Sequence, residues 1–220
     1  LLDRAHAIAE STPKGPVYLS LPREVLSEQC PAESVSSAIS MHASRVLADG
    51  ASIHRVAQMI LEAERPLIVA QRGAGSPDGF DALARLAERL AIPVCEYWAV
   101  ALAIAADHPS SVGADPMPWI ADADLVLVID SLAPWSPALH GLRDDCRVVH
   151  LGPDPLYHRF PVRNFRADVA VTTEVGPAMV ALDRALEAGF ANPLSVRDRR
   201  KRLAAHRSER LARLDAAVQF

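Results

Sequence analysis

The sequence is poor in cysteine: Cys30, Cys95 and Cys146 are all it has in 220 residues. Three is an odd number and they lie far apart, which argues against a disulfide framework and fits a reducing, cytoplasmic setting. Long apolar runs are missing too. None approaches the roughly 20 residues that cross a bilayer, so no membrane partner is expected. The first residues carry no basic stretch followed by an apolar one, so no signal peptide is read there. Familiar catalytic signatures are absent. There is no G-x-S-x-G elbow, no G-x-x-x-x-G-K-[ST] loop and no pair of carboxylates that falls in one cleft. His140, Cys146, His150 and His158 are close in sequence but lack the spacing of a metal site. On a strand, Cys146 and His150 share a side with Val148, and that side reads as core. No catalytic residue and no metal ligand is therefore assigned.

What is present describes a soluble globular chain. Half the residues are hydrophobic and 23% are charged, with a mean hydropathy of +0.09. That suffices for one core of about 130–150 residues plus flanking pieces. The net charge of −4 hides an asymmetry. Residues 197–220 carry a net +5 and the remainder −9. The basic run Arg197-Asp198-Arg199-Arg200-Lys201-Arg202 admits two readings, a nucleic-acid patch or a solvated helix or linker. Leu203, Leu211 and Leu214 recur at helical intervals and no aromatic residues interleave as stacking platforms, so no nucleic-acid partner is expected.

Near the start, Leu2 to Glu10 reads as a helix. Lys14-Gly15-Pro16 is a turn, and Val17 to Leu21 reads as a strand that stops at Pro22. One helix and one strand cannot bury a core, so these pieces are expected to be the end of another domain, and the chain a piece of a larger protein. Ser27 to Gly50, with breakers Cys30-Pro31 and Asp49-Gly50, reads as a linker. A regular alternation follows. Ile53 to Ala63 shows helical spacing. Leu67 to Ala70 is a continuous apolar run, the mark of a strand buried on both faces. Arg72-Gly73-Ala74-Gly75 is a glycine loop, and Ser76-Pro77 opens a helix with Ser as N-cap and Pro in the first turn. Ile92 to Cys95, Leu125 to Ile129, Cys146 to Leu151 and Asp168 to Val171 are further strands. Trp98 to Ala106, Pro118 to Ala123 and Val175 to Ala188 are read as helices. Alternating strands and helices imply parallel pairing through right-handed crossovers. The fold class expected is α/β, a doubly wound, mainly parallel sheet of about six strands with helices on both faces.

In such a sheet ligands bind beyond the carboxyl ends of the strands, where strand order reverses. The loops Gln71–Ser76, Asp130–Pro137 and Gly152–Leu156 leave such ends. The first puts glycines and Arg72 before a helix amino terminus, where backbone N–H groups and the helix dipole favour phosphate. The same glycines also serve a plain strand-to-helix turn. Asp130 would hold a ribose hydroxyl or cap its loop. Trp135 would stack on a flat ligand or pack on its own domain. Asp154, between two prolines, would fix a turn through nearby backbone N–H groups. The candidate cofactor-binding residues read from these loops are Arg72, Gly73, Gly75 and Asp130, and the resemblance described next adds Ser131 beside Asp130.

The order of segments resembles thiamine-diphosphate-dependent enzymes of the acetolactate synthase, benzoylformate decarboxylase and oxalyl-CoA decarboxylase type. Gly15 to Pro22 with Glu24-Val25 is similar to the last strand of their pyrimidine-binding domain. Glu64 to Ala70 with Gly73 and Gly75 is similar to the first strand and glycine loop of their central domain. Leu83 to Pro93, Asp107-His108-Pro109 with Gly113, Ala121 to Ile129, and Val149-His150-Leu151 through Asp154-Pro155 resemble the segments that follow. The resemblance covers about residues 1–190. It implies a pyrimidine-domain remnant over 1–26, a linker over 27–50, a Rossmann-like central domain over 51–190 and a basic helical linker over 191–220. It implies a parent that is a cytoplasmic homo-oligomer (dimer or tetramer) and uses thiamine diphosphate and Mg²⁺ on a small 2-oxo acid or related substrate, breaking or making a carbon–carbon bond. The Gly-Asp-Gly motif with its downstream Asn, which holds Mg²⁺ and the diphosphate, is absent, and the catalytic glutamate would lie upstream of Leu1. This segment would then act as scaffold or take an ADP- or FAD-type nucleotide. Acetolactate synthases show Gly-Ala-Arg after the fourth strand and Gly-Lys-Gly after the second; here stand Asp130-Ser131-Leu132 and Ala99-Val100-Ala101-Leu102. Arg72 and Gly73 keep part of the first loop. Two alternatives stand beside this reading. One is a nicotinamide-dependent oxidoreductase domain, with Glu96 as the acidic residue after the second strand; the other is a non-catalytic interaction module.

Overall fold

The computed structural model describes residues 1–31, 41, 44–158, 160–163 and 165–218. The chain forms two compact units, residues 1–46 and 47–220. In the first, α1 (Leu2–Glu10) and α2 (Arg23–Leu26) are the regular elements. The strand expected over Val17–Leu21 is not formed; that segment has no regular structure. A strand needs a neighbour for its N–H and C=O groups, and among the described residues none pairs with it. Of the linker expected over 27–50, residues 32–40 and 42–43 lie outside the described residues.

The second unit holds α3 (Gly50–Glu62), β1 (Pro66–Ala70), α4 (Pro77–Leu90), β2 (Val94–Cys95), β3 (Ser111–Gly113), α5 (Met117–Ile120), β4 (Leu125–Ile129), β5 (Arg147–Gly152), β6 (Val169–Thr172), α6 (Val175–Glu187) and α7 (Pro193–Val218). Six strands join in the order β3-β2-β1-β4-β5-β6, every pair parallel. This is the expected α/β doubly wound sheet. The order reverses between β1 and β4, where the crevice of such sheets opens.

Alternate residues of each central strand feed two cores, as a two-residue period requires. Ile68, Ala70, Leu125, Leu127 and Ile129 pack with α3, α4 and α6. Leu67, Val69, Val126, Val128 and Val148 pack on the other face with Trp119, Ile120, Trp135 and Leu203. The strands are therefore apolar throughout, which made them legible in the sequence. Helix starts follow their caps. Asp49 accepts from Ser52 N, which begins α3 three residues before the expected Ile53, and Ser76 accepts from Gly79 N ahead of Pro77.

Trp98–Ala106 is not the expected helix but a loop. Its amides are claimed from outside. Val100 N and Ala101 N donate to Gln71 O at 2.7 and 3.3 Å, and Ala103 N donates to the Glu96 carboxylate at 2.7 Å. Arg72 and Ala101 form a parallel bridge. These acceptors replace the i−4 carbonyls of a helix. Strand β3, three residues long and edge-paired to β2, takes the place in the sheet that the sequence assigned to none of its segments.

Candidate functional site

The carboxyl ends of β1 and β4 bring Arg72 and Asp130 together. Their Nη1 and Oδ1 atoms stand 3.7 Å apart, with both side chains partly open to solvent. One residue earlier Gln71, nearly buried, accepts from Leu132 N through Oε1 at 2.8 Å. The loops after β1 and β4 are thus tied by a side-chain bond and a looser ion pair. Asp130 has φ +37°, a conformation that Asp and Asn tolerate better than most residues. Its carboxyl is held above the usual range, first by burial; Arg72 opposes that rise and Asp154 adds to it.

The glycine loop serves packing at close quarters. At Gly73 (φ +77°) a Cβ would come within 2.9 Å of Leu102 O. At Gly75 (φ +77°) it would meet Gly176 N at 2.5 Å and Val175 Cβ at 2.9 Å. Only glycine accepts both the positive φ and this contact. The loop nevertheless borders open space. A cavity of about 380 Å³ is lined by Arg72 through Pro77 with Phe80, Ala101 and Leu102. The amino end of α4 and the Arg72 guanidinium share that wall, the arrangement that suits an anion.

Ser131 continues the site inward. Its side chain is nearly buried, and among the described residues its hydroxyl has no hydrogen-bond partner. Its carbonyl accepts from the Tyr157 hydroxyl at 2.9 Å. That hydroxyl also lies 3.2 Å from His150 Nδ1, and His150 Nε2 lies 3.1 Å from Arg166 O. His150 is buried on the strand side expected for it, with Val148 and Cys146. Burial pushes its pKa down to about 4, against the bond to Arg166 O, and pushes Tyr157 up. This His–Tyr–Ser chain was not read from the sequence. Tyr157 follows Pro155 by two residues in a positive-φ turn, and no spacing announces it.

Other residues singled out in the sequence have structural partners. Trp135 is buried, edge-on to Phe165 at 5.3 Å. It also helps line a separate cavity of about 470 Å³ with Tyr97, Trp98 and Arg163. Asp154 accepts from His158 N at 3.0 Å and so fixes its turn; the His158 ring lies 2.5 Å from it. His140 Nδ1 accepts from Ser136 N at 2.9 Å. Burial raises the thiols of Cys95 and Cys146 to about 12 and about 11, which leaves both in the unreactive form. Glu96, the candidate ribose partner of a nicotinamide site, is turned inward to Ala103 N.

The basic tail is a helix, α7, as expected, but not only a solvated one. Arg199 is buried against the carboxyl ends of α3 and α4. Arg202 pairs with Asp122 at 2.9 Å and covers the Trp119 ring at 4.4 Å.

The model of the thiamine pyrophosphate enzyme central domain matches residues 53–182. A probable 2-ketoarginine decarboxylase of Pseudomonas aeruginosa is 33% identical over 134 residues, 59% of this chain and 23% of the relative. A probable acetolactate synthase large subunit of Methanocaldococcus jannaschii is 26% identical over 210 residues, 89% of this chain and 34% of the relative. The chain spans about a quarter to a third of the length of these curated relatives. The benzoylformate decarboxylase structure from Polynucleobacter necessarius shares the fold with a TM-score of 0.70 at 21% identity, over 87% of this chain and 36% of that one. With the parallel sheet and its switch point in place, residues 53–182 identify the chain as a member of the thiamine pyrophosphate enzyme family and as carrying that family's central domain.

Proposed function

We propose that this chain is the non-catalytic central part of a thiamine-diphosphate-dependent enzyme that acts on small 2-oxo acids, breaking or making a carbon–carbon bond. The family match over 53–182, which runs along the whole sheet, is the observation that carries this reading. The names of the two relatives, a 2-ketoarginine decarboxylase and an acetolactate synthase subunit, point to the same substrate class.

Thiamine diphosphate, with Mg²⁺, supplies the ylid in such an enzyme. The residues here do not fit that group. The sequence has no Gly-Asp-Gly segment, and among the described residues no three His, Cys, Asp or Glu side chains are grouped to hold a metal ion. The chain's own share is scaffolding and subunit contact in a cytoplasmic homo-oligomer, a dimer or tetramer.

A second role is favoured by one arrangement, the Arg72 guanidinium and the amino end of α4 on the wall of one cavity. An ADP- or FAD-type nucleotide would place its phosphates there. Gly73 and Gly75 shape the loop, and Asp130, paired with Arg72 beside that cavity, and Ser131 after it would be the residues to take the ribose.

The test compares the intact enzyme, expressed from the complete reading frame, with the 220-residue chain. Both are given thiamine diphosphate, Mg²⁺ and either pyruvate or 2-ketoarginine. Carbon dioxide release by the intact enzyme and none by the chain is expected. Turnover by the chain alone contradicts the non-catalytic role, and an intact enzyme inert toward every 2-oxo acid contradicts the substrate class.

A further inference from the structure

We infer that α7 is a releasable arm of the domain, latched on the amino-terminal edge of the sheet by the Arg199 guanidinium, and that it opens as a unit while the sheet stays folded.

The argument begins with how little apolar surface holds this helix. Over Pro193–Val218, Arg199 and Leu203 are the side chains counted as buried among the described residues. Leu203 with the partly buried Val196 beside it is a small apolar share for a 26-residue helix, and helices in proteins draw most of their stability from such a packed face. A cavity of about 370 Å³ also lies beside these contacts under part of α7, lined by Pro66, Pro93, Trp119, Ser195 and Arg199 among others. The docked face is therefore not a close-packed apolar seam.

Polar contacts take its place. Arg199 Nε and Nη2 donate to Leu90 O at 3.0 and 2.8 Å. Its Nη1 donates to Ala63 O at 3.0 Å and Glu64 O at 3.2 Å. These carbonyls lie at the carboxyl ends of α3 and α4, where backbone acceptors have no partner within the helix and the dipoles place negative charge. A guanidinium offers five donors in a fixed plane and keeps its charge. One side chain thus satisfies the ends of two helices. Further along the same stripe, Arg202 Nη2 donates to Pro118 O, His206 Nε2 lies 3.3 Å from Val112 O, and Arg210 Nη1 donates to Ser111 O at 3.4 Å. These outer contacts are longer or more exposed than those of Arg199. Segments held by few buried apolar contacts are the ones that open below the global unfolding free energy.

Hydrogen exchange by mass spectrometry on the 220-residue chain tests this. In the wild type, peptides of residues 197–210 are expected to exchange on the order of a hundredfold faster than those of β1 and β4. Arg199→Met should speed α7 exchange by a further tenfold or more, roughly the loss of buried hydrogen bonds, with β1 and β4 changing less than about twofold. Leu203→Ala should loosen α7 less than Arg199→Met does. The inference fails if wild-type α7 exchanges together with the sheet. It fails equally if Arg199→Met leaves α7 protection unchanged, or if Leu203→Ala loosens the arm more. Should Arg199→Met not fold, Arg199→Lys takes its place: one ammonium cannot span three carbonyls, so faster α7 exchange is again expected, and unchanged protection overturns the latch.

Discussion

The two edges of the sheet solve opposite problems. At the amino-terminal edge, helices α3 and α4 end with carbonyls that have no partner within the helix, and Arg199 of α7 covers them. At the carboxyl edge the strands end in loops that bond one another through Gln71, Arg72 and Tyr157 while leaving two cavities between them. Large apolar side chains stay exposed there, Trp98, Val100, Leu102 and Leu139 among them. The difference teaches where function and stability separate in this fold. Cations placed on backbone acceptors tie a helix across one edge, whereas the other keeps an anion-suited loop.

The largest effect should come from crowding the close contact between the glycine loop and α6. Gly75→Ala puts a Cβ 2.5 Å from Gly176 N at a positive φ, and should cost about 4 kcal/mol from overpacking and left-handed strain together. Urea unfolding measures it. A cost below about 1 kcal/mol would show that the loop can move away from α6, so that the carboxyl edge is softer than described.

The next effect is one of pH. His150 is buried with its pKa lowered to about 4, against about 6.5 in an unfolded chain. The unfolded state therefore binds more protons, and stability is lost as pH falls from about 6.5 toward 4. The full loss amounts to about 3 kcal/mol by linkage. His150→Gln should flatten this slope in melts taken across that range. A slope that survives the substitution assigns the acid sensitivity to other groups.

Tyr157→Phe removes the hydroxyl that bonds Ser131 O and faces His150, and should cost about 1–2 kcal/mol. Near-ultraviolet circular dichroism of the neighbouring aromatic residues should change with it, since Tyr157 and Phe165 lie 5.8 Å apart. An unchanged stability would mean that the loops after β4 and β5 are fixed without this bond. The smallest effect is expected at Asp130. Its pKa is raised mainly by burial, so its ionisation works against the fold. That contribution is present below the unfolded value of about 3.9 and is lost as pH rises through the folded one. Asp130→Asn should then raise stability at neutral pH, by the part of the burial cost that Arg72 does not offset and by less than the preceding substitutions change it. A loss instead would mark the Arg72–Asp130 pair as a net stabilising contact.

Much of the second unit was legible because its strands are buried on both faces. Leu67–Ala70 and Leu125–Ile129 are unbroken apolar runs and fall within β1 and β4. The candidate site was legible in part. Arg72 and Asp130 do meet at the switch point, but the work of Gly73 and Gly75 against Leu102 and α6 depends on contacts distant in sequence. The segment Trp98–Ala106 is a loop where a helix is expected because Gln71 O and the Glu96 carboxylate claim its amides, contacts that local sequence does not announce. Strand β3 is Ser-Val-Gly, too short for any alternation to show. Arg199 was hidden in a run of like charges. The signal that would have found it is the stripe Val196, Arg199, Leu203, His206 and Arg210 at helical spacing, one face of α7 less exposed than the others.

The open carboxyl edge is tested most directly by calorimetric titration of the 220-residue chain with ADP. One molecule should bind per chain, and Arg72→Ala should weaken that binding by about tenfold or more without lowering the melting temperature. No binding of ADP, or binding indifferent to Arg72, would contradict a ligand site between β1 and β4 and leave this edge, like the other, as scaffold.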